Sequence, residues 1–175
     1  MIYIIMHERT FATKLIGSTI KAIGGAIVIV LVFSLSLTNN GLDITQAVDS
    51  PLITYANVSR TDLNIGTLTV NNELTNAAQA KAEDILNNQY FDHTRSDGKQ
   101  PWDFIKESGY NYRFAGENLA MGYNDYVAIH KAWLNSPSHK RNILNNRYNE
   151  IGIGVAEGIY NGKNVVVVVE MLAAD

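Results

Sequence analysis

His93, Glu117 and His139 are the residues of this chain whose types best fit a chemical task. Two imidazoles and one carboxylate are a donor set for a first-row divalent cation, with zinc the default and open positions left for water. The three lie in short polar blocks: Phe91-Asp92-His93-Thr94, Gly116-Glu117-Asn118-Leu119-Ala120, and Trp133-Leu134-Asn135-Ser136-Pro137-Ser138-His139-Lys140-Arg141-Asn142-Ile143-Leu144. The blocks are too far apart for one helix or hairpin to join them, so the tertiary fold must do so. Asn118, beside Glu117, completes the expected lining. A zinc-bound water can act as a nucleophile, but hydrolysis also needs a general acid or base, and Glu117 cannot easily be both ligand and base. Cation or ligand binding is therefore the expected role. A metal-dependent, peptidase-like hydrolase is the alternative. A third reading makes Glu117 an acceptor of backbone N–H bonds that ties loops together, with Gly116 and Asn118 serving a backbone bend.

The elements that must position these blocks follow from periodicity. Pro51–Thr61 reads as a helix with proline at its first position. Residues 72–89 form a stronger one, with Leu74, Ala77, Ala78, Ile85 and Leu86 at helical spacing, interrupted by Lys81. Its alanines suit close packing. Residues 95–100 are a loop with Asp97-Gly98 as its turn, and 101–108 a short helix from Pro101 to a stop at Gly109. Residues 124–135 are helical, with Tyr126, Ile129, His130, Trp133 and Leu134 on one apolar stripe. His130 is thus expected to be a core histidine. Ser136 is an expected N-cap and Pro137 the first residue of the next helix. That places His139 in the first turn, where the helix dipole disfavours a protonated ring. Ser136 and Ser138 lie near His139, but no Gly-x-Ser-x-Gly elbow supports a serine nucleophile. Lys140, Arg141 and Arg147 read as a solvated basic face. Trp102, Tyr110, Tyr112, Phe114 and Tyr123 read as core and cleft wall around the Gly-Glu-Asn block.

After residue 150 the period becomes two. Ile151, Ile153 and Val155 alternate with Gly152, Gly154 and Ala156, a strand whose small residues let something lie close on its other face. Asn161-Gly162 is a hairpin turn, and the apolar run of residues 165–169 is a strand covered on both faces. Helices followed by such a hairpin predict an α+β fold, a three-layer α-β-α sandwich with an antiparallel sheet.

The chain has 175 residues, a net charge of −3 and no cysteine. The charge offers nothing for nucleic acid, and the missing cysteines exclude disulfides and thiolate sites. Residues 22–37 are charge-free and almost wholly apolar. Extended back to Leu15, with Lys21 its one charge, the run matches the roughly 20 residues a bilayer requires. Arg9, Lys14 and Lys21 precede it, so the N-terminus is expected in the cytoplasm and the rest outside. Ser34-Leu35-Ser36 is a weak cleavage signal, which leaves open a removed signal segment and secretion. The expected organisation is a cytoplasmic segment over residues 1–14, a transmembrane anchor or signal helix over 15–37, a linker over 38–50 and a domain over 51–175.

The blocks, taken in order, resemble the bacterial branch of the CAP superfamily, the SCP-like extracellular domains of cysteine-rich secretory, antigen 5 and pathogenesis-related proteins. Asn57-Val58-Ser59-Arg60 is similar to the family's first-helix asparagine–arginine pair. Leu68-Thr69-Val70-Asn71-Asn72-Glu73-Leu74 resembles the entry to its second helix. Tyr90-Phe91-Asp92-His93-Thr94, Gly116-Glu117-Asn118-Leu119-Ala120, the Trp133–Leu144 block and Ile151-Gly152-Ile153-Gly154 follow its later motifs. The resemblance implies an α-β-α sandwich, secretion or surface attachment, and a cleft carrying His93, Glu117 and His139. Family links to lipid or sterol binding make a lipid or surface ligand an expected partner class. The second glutamate of many eukaryotic members, and their cysteines, have no counterpart in the matching blocks. The oligomeric state is left open.

Overall fold

A computed structural model describes residues 50–175. The expected anchor over residues 15–37 lies outside them, and among the described residues no helix is long and apolar enough to cross a membrane. The order of elements is α1 (Pro51–Thr61), β1 (Thr69–Val70), α2 (Asn72–Asn87), α3 (Pro101–Glu107), β2 (Phe114–Met121), α4 (Tyr126–Asn135), α5 (Pro137–Ile143), β3 (Glu150–Tyr160) and β4 (Lys163–Ala174).

The four strands form one sheet in the order β1-β3-β4-β2. The hairpin of β3 and β4 is its centre, and the two are antiparallel from Glu150↔Ala173 to Tyr160↔Lys163. Asn161 and Gly162 close it with φ of 48° and 77°. Both angles are positive, as a two-residue type I′ turn requires, and this Asn-Gly pair tolerates them. β2 runs antiparallel to β4 from Phe114↔Ala174 to Met121↔Val167. β1 is parallel to β3, so the expected antiparallel sheet carries one short parallel edge. The Gly-Glu-Asn block is not a bend: it is the middle of β2. Glycine and asparagine disguise it as a turn, and the ladder to β4 overrides that local preference.

Alternation along the strands builds two cores. On one face Ile151, Ile153, Val168 and Leu172 pack with α1, α4 and α5 through Leu52, Ile129, Trp133 and Ile143. On the other Val167, Val169 and Met171 pack with α2 and α3 through Leu74, Ala78, Ile85 and Phe104. The result is the expected α-β-α sandwich. α2 lies directly on β3, because Gly152 and Gly154 present no side chain to it. Gln79 of α2 also reaches β3, its Oε1 accepting the Val155 N–H at 2.9 Å.

Helix ends show where local signals apply. Asn71 caps α2 through the Leu74 N–H and Asp125 caps α4 through the Ala128 N–H, so α4 starts two residues later than the periodicity suggests. Ser136 holds the N-cap position of α5 but makes no side-chain cap bond. Its hydroxyl pairs with that of Ser138 at 3.1 Å instead.

Candidate binding cleft

Glu117 and Asn118 are adjacent on an edge strand, so their side chains leave opposite faces of the sheet. Glu117 points to the α2 side. There the fold brings it to His93: Nδ1 of the ring donates to Glu117 Oε1 at 2.6 Å. The carboxylate is almost fully buried, its side chain 1% exposed, while the imidazole is 53% exposed. A carboxylate only accepts, so Nδ1 carries the proton, and Nε2 of the neutral ring keeps its lone pair. The bond to Glu117 is the main cause that raises the His93 pKa, with burial opposing it. Burial pushes the Glu117 pKa up, against the pull of His93 and of the nearby Lys81 ammonium. Glu117 Oε2 is buried without a hydrogen-bond partner among the described residues. The expected set of backbone N–H donors to Glu117 is thus replaced by one imidazole.

Asn118 points to the other face and is fully buried. Its amide nitrogen donates to Glu170 Oε2 at 2.6 Å and to the His139 carbonyl at 3.3 Å. Its amide oxygen accepts from Asn142 Nδ2 at 2.9 Å, and the same nitrogen donates to the Glu117 carbonyl at 2.9 Å. Asn118 is therefore a brace between α5 and β2, a role of its amide in main-chain geometry. It fixes the helix turn that carries His139. The His139 pKa is lowered, first by burial and then by the charge of His93. The direction is the one expected from its place in α5, and the two imidazoles lie within electrostatic reach of each other. Among the described residues, no three histidine, aspartate or glutamate side chains are grouped to hold a metal ion. Glu117 Oε1, the expected third ligand, is occupied by the His93 ring.

Two buried charges belong to none of the motif blocks. Lys81 reads as an interruption of a helix stripe, yet it is 0% exposed and bonded to the His93 carbonyl at 2.7 Å. Glu170 sits unmarked in a run of apolar strand residues and is also 0% exposed. It is a second buried carboxylate, but it faces α1 and α5, on the opposite side of the sheet from Glu117. Only its apolar neighbours hint at burial, and nothing local hints at a partner. His130, as expected, is a core residue, with Nε2 paired to the Ser59 hydroxyl at 2.9 Å. Lys140, Arg141 and Arg147 line an open hollow of about 710 Å³ with Pro137 and Leu144, next to α5 but without His93, Glu117 or His139.

Glu170 yields a pH prediction. Burial raises its pKa from 4.5 to about 7, against the opposing pull of the Asn118 bond and the Arg60 charge. Between those values the folded protein holds a proton that the unfolded chain has lost, so stability falls as pH rises through that window. The loss is about 3.5 kcal/mol at most, at about 1.4 kcal/mol per unit. Glu170→Gln keeps an acceptor for Asn118 and has no proton to lose. Urea unfolding at pH 5 and pH 8 should show a larger drop for the wild type than for the variant, whose remaining pH dependence comes from the histidines and Glu117. Parallel slopes in the two proteins would refute the assignment.

A family model described as the CAP, cysteine-rich secretory protein family matches residues 53–171. The chain belongs to the CAP family. Protein YkwD of Bacillus subtilis (strain 168) is 34% identical over 112 residues, which cover 64% of this chain and 44% of YkwD. An extracellular SCP-domain protein from Bacillus anthracis has a similar structure, with a TM-score of 0.60 at 24% identity over 71% of this chain and 39% of that one. An outer surface protein of Borrelia burgdorferi also has a TM-score of 0.60, at 26% identity over 70% of this chain and 89% of its own. The chain thus spans less than half the length of YkwD and of the anthracis protein. The CAP assignment accounts for the sandwich and for the order of the sequence blocks.

Proposed function

We propose that this is an extracytoplasmic CAP domain, held at the membrane by residues 15–37 or released by cleavage, that binds a divalent cation or a ligand in a cleft lined by His93 and His139, with Glu117 behind His93 and Asn118 bracing the turn that carries His139 instead of lining the cleft. Its similarity to an outer surface protein supports the location. The observation that carries the binding reading is the bond from His93 Nδ1 to Glu117. A histidine that ligates a metal usually donates its other ring N–H to a carboxylate, which fixes the tautomer and makes the ligating nitrogen more basic. His93 has that arrangement, with Nε2 left available on a half-exposed ring. The metal set becomes His93 and His139 with water, and Glu117 stands behind His93 rather than on the cation. Zinc suits such imidazole donors.

The hydrolase reading is weaker. Glu117 is engaged by His93, and Glu170 faces the other side of the sheet, so neither carboxylate is placed as a base beside a bound water. Calorimetric titration of the full chain with zinc tests the binding proposal. His93→Ala and His139→Ala should each weaken binding by more than about 100-fold, and Glu117→Gln by about 10- to 100-fold. A wild-type chain that takes up no zinc, or variants that bind it as well as the wild type, would sink the proposal.

A further inference from the structure

The His93 block has no ladder to hold it. Among the described residues, residues 91–94 make no backbone–backbone hydrogen bond. What they have instead is Lys81. Its ammonium donates to the Asp92 carbonyl at 3.1 Å, the His93 carbonyl at 2.7 Å and the Tyr90 hydroxyl at 3.0 Å. An ammonium has three protons, and each has an acceptor. The stem of Lys81 rises from the rigid helix α2, and the ammonium lies 4.7 Å from the centre of the Tyr90 ring and 5.5 Å from that of Phe104. Burying a charge this completely is costly unless it is paired and hydrogen-bonded, so full satisfaction of its donors makes this geometry a single, well-defined state. Glu117 acts on Lys81 from the β2 side and Asp84, Asp92 and Arg95 from the helix and loop sides.

We propose that Lys81 is the positioning residue of the cleft: by fixing two consecutive carbonyls of an otherwise unladdered segment, it aims the His93 ring at Glu117. This rests on the reading of His93 as a cleft ligand. It gives that reading a part the motif blocks lack, a residue on the neighbouring helix that pre-organises the imidazole. Without the ammonium, the two carbonyls turn to water, the segment samples other conformations, and the bond from His93 Nδ1 to Glu117 becomes one of several.

The test is the imidazole Nδ1–H resonance of His93 in the full chain, observed by nitrogen-15-edited NMR. A proton held in a short bond to a buried carboxylate resonates downfield and exchanges slowly with water, and Glu117→Gln identifies it by its shift. In Lys81→Met, which keeps the length of the side chain and removes the charge, this resonance should vanish into exchange at a temperature where the methyl spectrum remains folded. A sharp, unshifted resonance in folded Lys81→Met would overturn the proposal, because Lys81 would then serve stability alone. Tyr90→Phe removes the third acceptor of the ammonium and leaves both carbonyls. It should keep the resonance, and its loss there would overturn the proposal even if Lys81→Met failed to fold. Zinc titration of Lys81→Met should show about 10-fold weaker binding, the scale of an outer-shell residue. If the wild type takes up no zinc, the binding reading fails while the resonance still decides the role of Lys81.

Discussion

Gly154→Ala is expected to lower the unfolding free energy by about 3–5 kcal/mol, a large fraction of the roughly 5–15 kcal/mol typical of a domain. A Cβ at Gly154 would stand 2.2 Å from the Ala78 carbonyl carbon and 2.2 Å from the Gln79 amide nitrogen. Carbon atoms in good contact are about 3.5–4.0 Å apart. Both obstructing atoms are backbone, so no rotamer change relieves the clash. Helix α2 would have to lift from β3, and with it Ala77, Ala78 and Ala82, all fully buried. The lift would also stretch the bond from the Val155 N–H to Gln79. Gly158→Ala is the control, since its Cβ would meet only the side-chain end of Leu86, at 3.1 Å, and should cost less than about 1 kcal/mol. Urea unfolding of the two variants checks the pair. Equal losses would mean that α2 does not sit on the glycines.

Arg60→Met is expected to cost about 4 kcal/mol or more, measured in the same way. Arg60 is 1% exposed, and its guanidinium holds four carbonyls. Nε donates to Gly66 at 2.6 Å, Nη1 to Ile143 and Asn145 at 2.9 Å each, and Nη2 to Tyr148 at 2.8 Å. These bonds tie the end of α1 to the segment that follows it, to the end of α5 and to the chain between α5 and β3. Methionine fills the space but leaves the acceptors unpaired, and a buried acceptor without a donor costs about 1–3 kcal/mol. Arg60→Lys should recover only part of the loss, because an ammonium has three donors and no planar fork. Arg60 also supplies the positive charge that Glu170 feels. The double variant Arg60→Met/Glu170→Gln should therefore lose less than the sum of the single effects. Strict additivity would mean that the two buried charges are independent.

Gly152 and Gly154 are legible in the sequence because a glycine alternating with β-branched residues leaves one strand face bare, and the helix that fills it carries matching alanines. The Asn161-Gly162 turn is legible because a two-residue hairpin demands positive φ. The Asn57 and Arg60 pair is visible by resemblance, but its partners are not. Asn57 closes a two-way bond with the backbone of Leu68, and Arg60 collects carbonyls far along the chain. β2 is hidden because Gly-Glu-Asn has the composition of a turn, and only its partner β4 makes it a strand. Lys81 and Glu170 are hidden for a related reason. A charge in an apolar pattern looks like a break in the pattern until the groups that satisfy it are brought in from elsewhere.

By itself the sequence determined the helices, the central hairpin, the sandwich class and the CAP family, together with the polar blocks that could form a cleft. The helices, hairpin and sandwich class follow from local rules, side-chain period, turn stereochemistry and proline or asparagine at helix starts, whereas the family follows from the resemblance of the blocks, taken in order. The tertiary structure decided how the blocks are used. It sent Glu117 and Asn118 to opposite faces of an edge strand, set Glu117 behind His93, and turned Lys81 inward beneath the His93 loop. Each outcome depends on the burial of one group against another distant in sequence. Hydrogen-bond partners and desolvation are properties of such pairs, and they exist only once the sheet and its two helical layers have assembled.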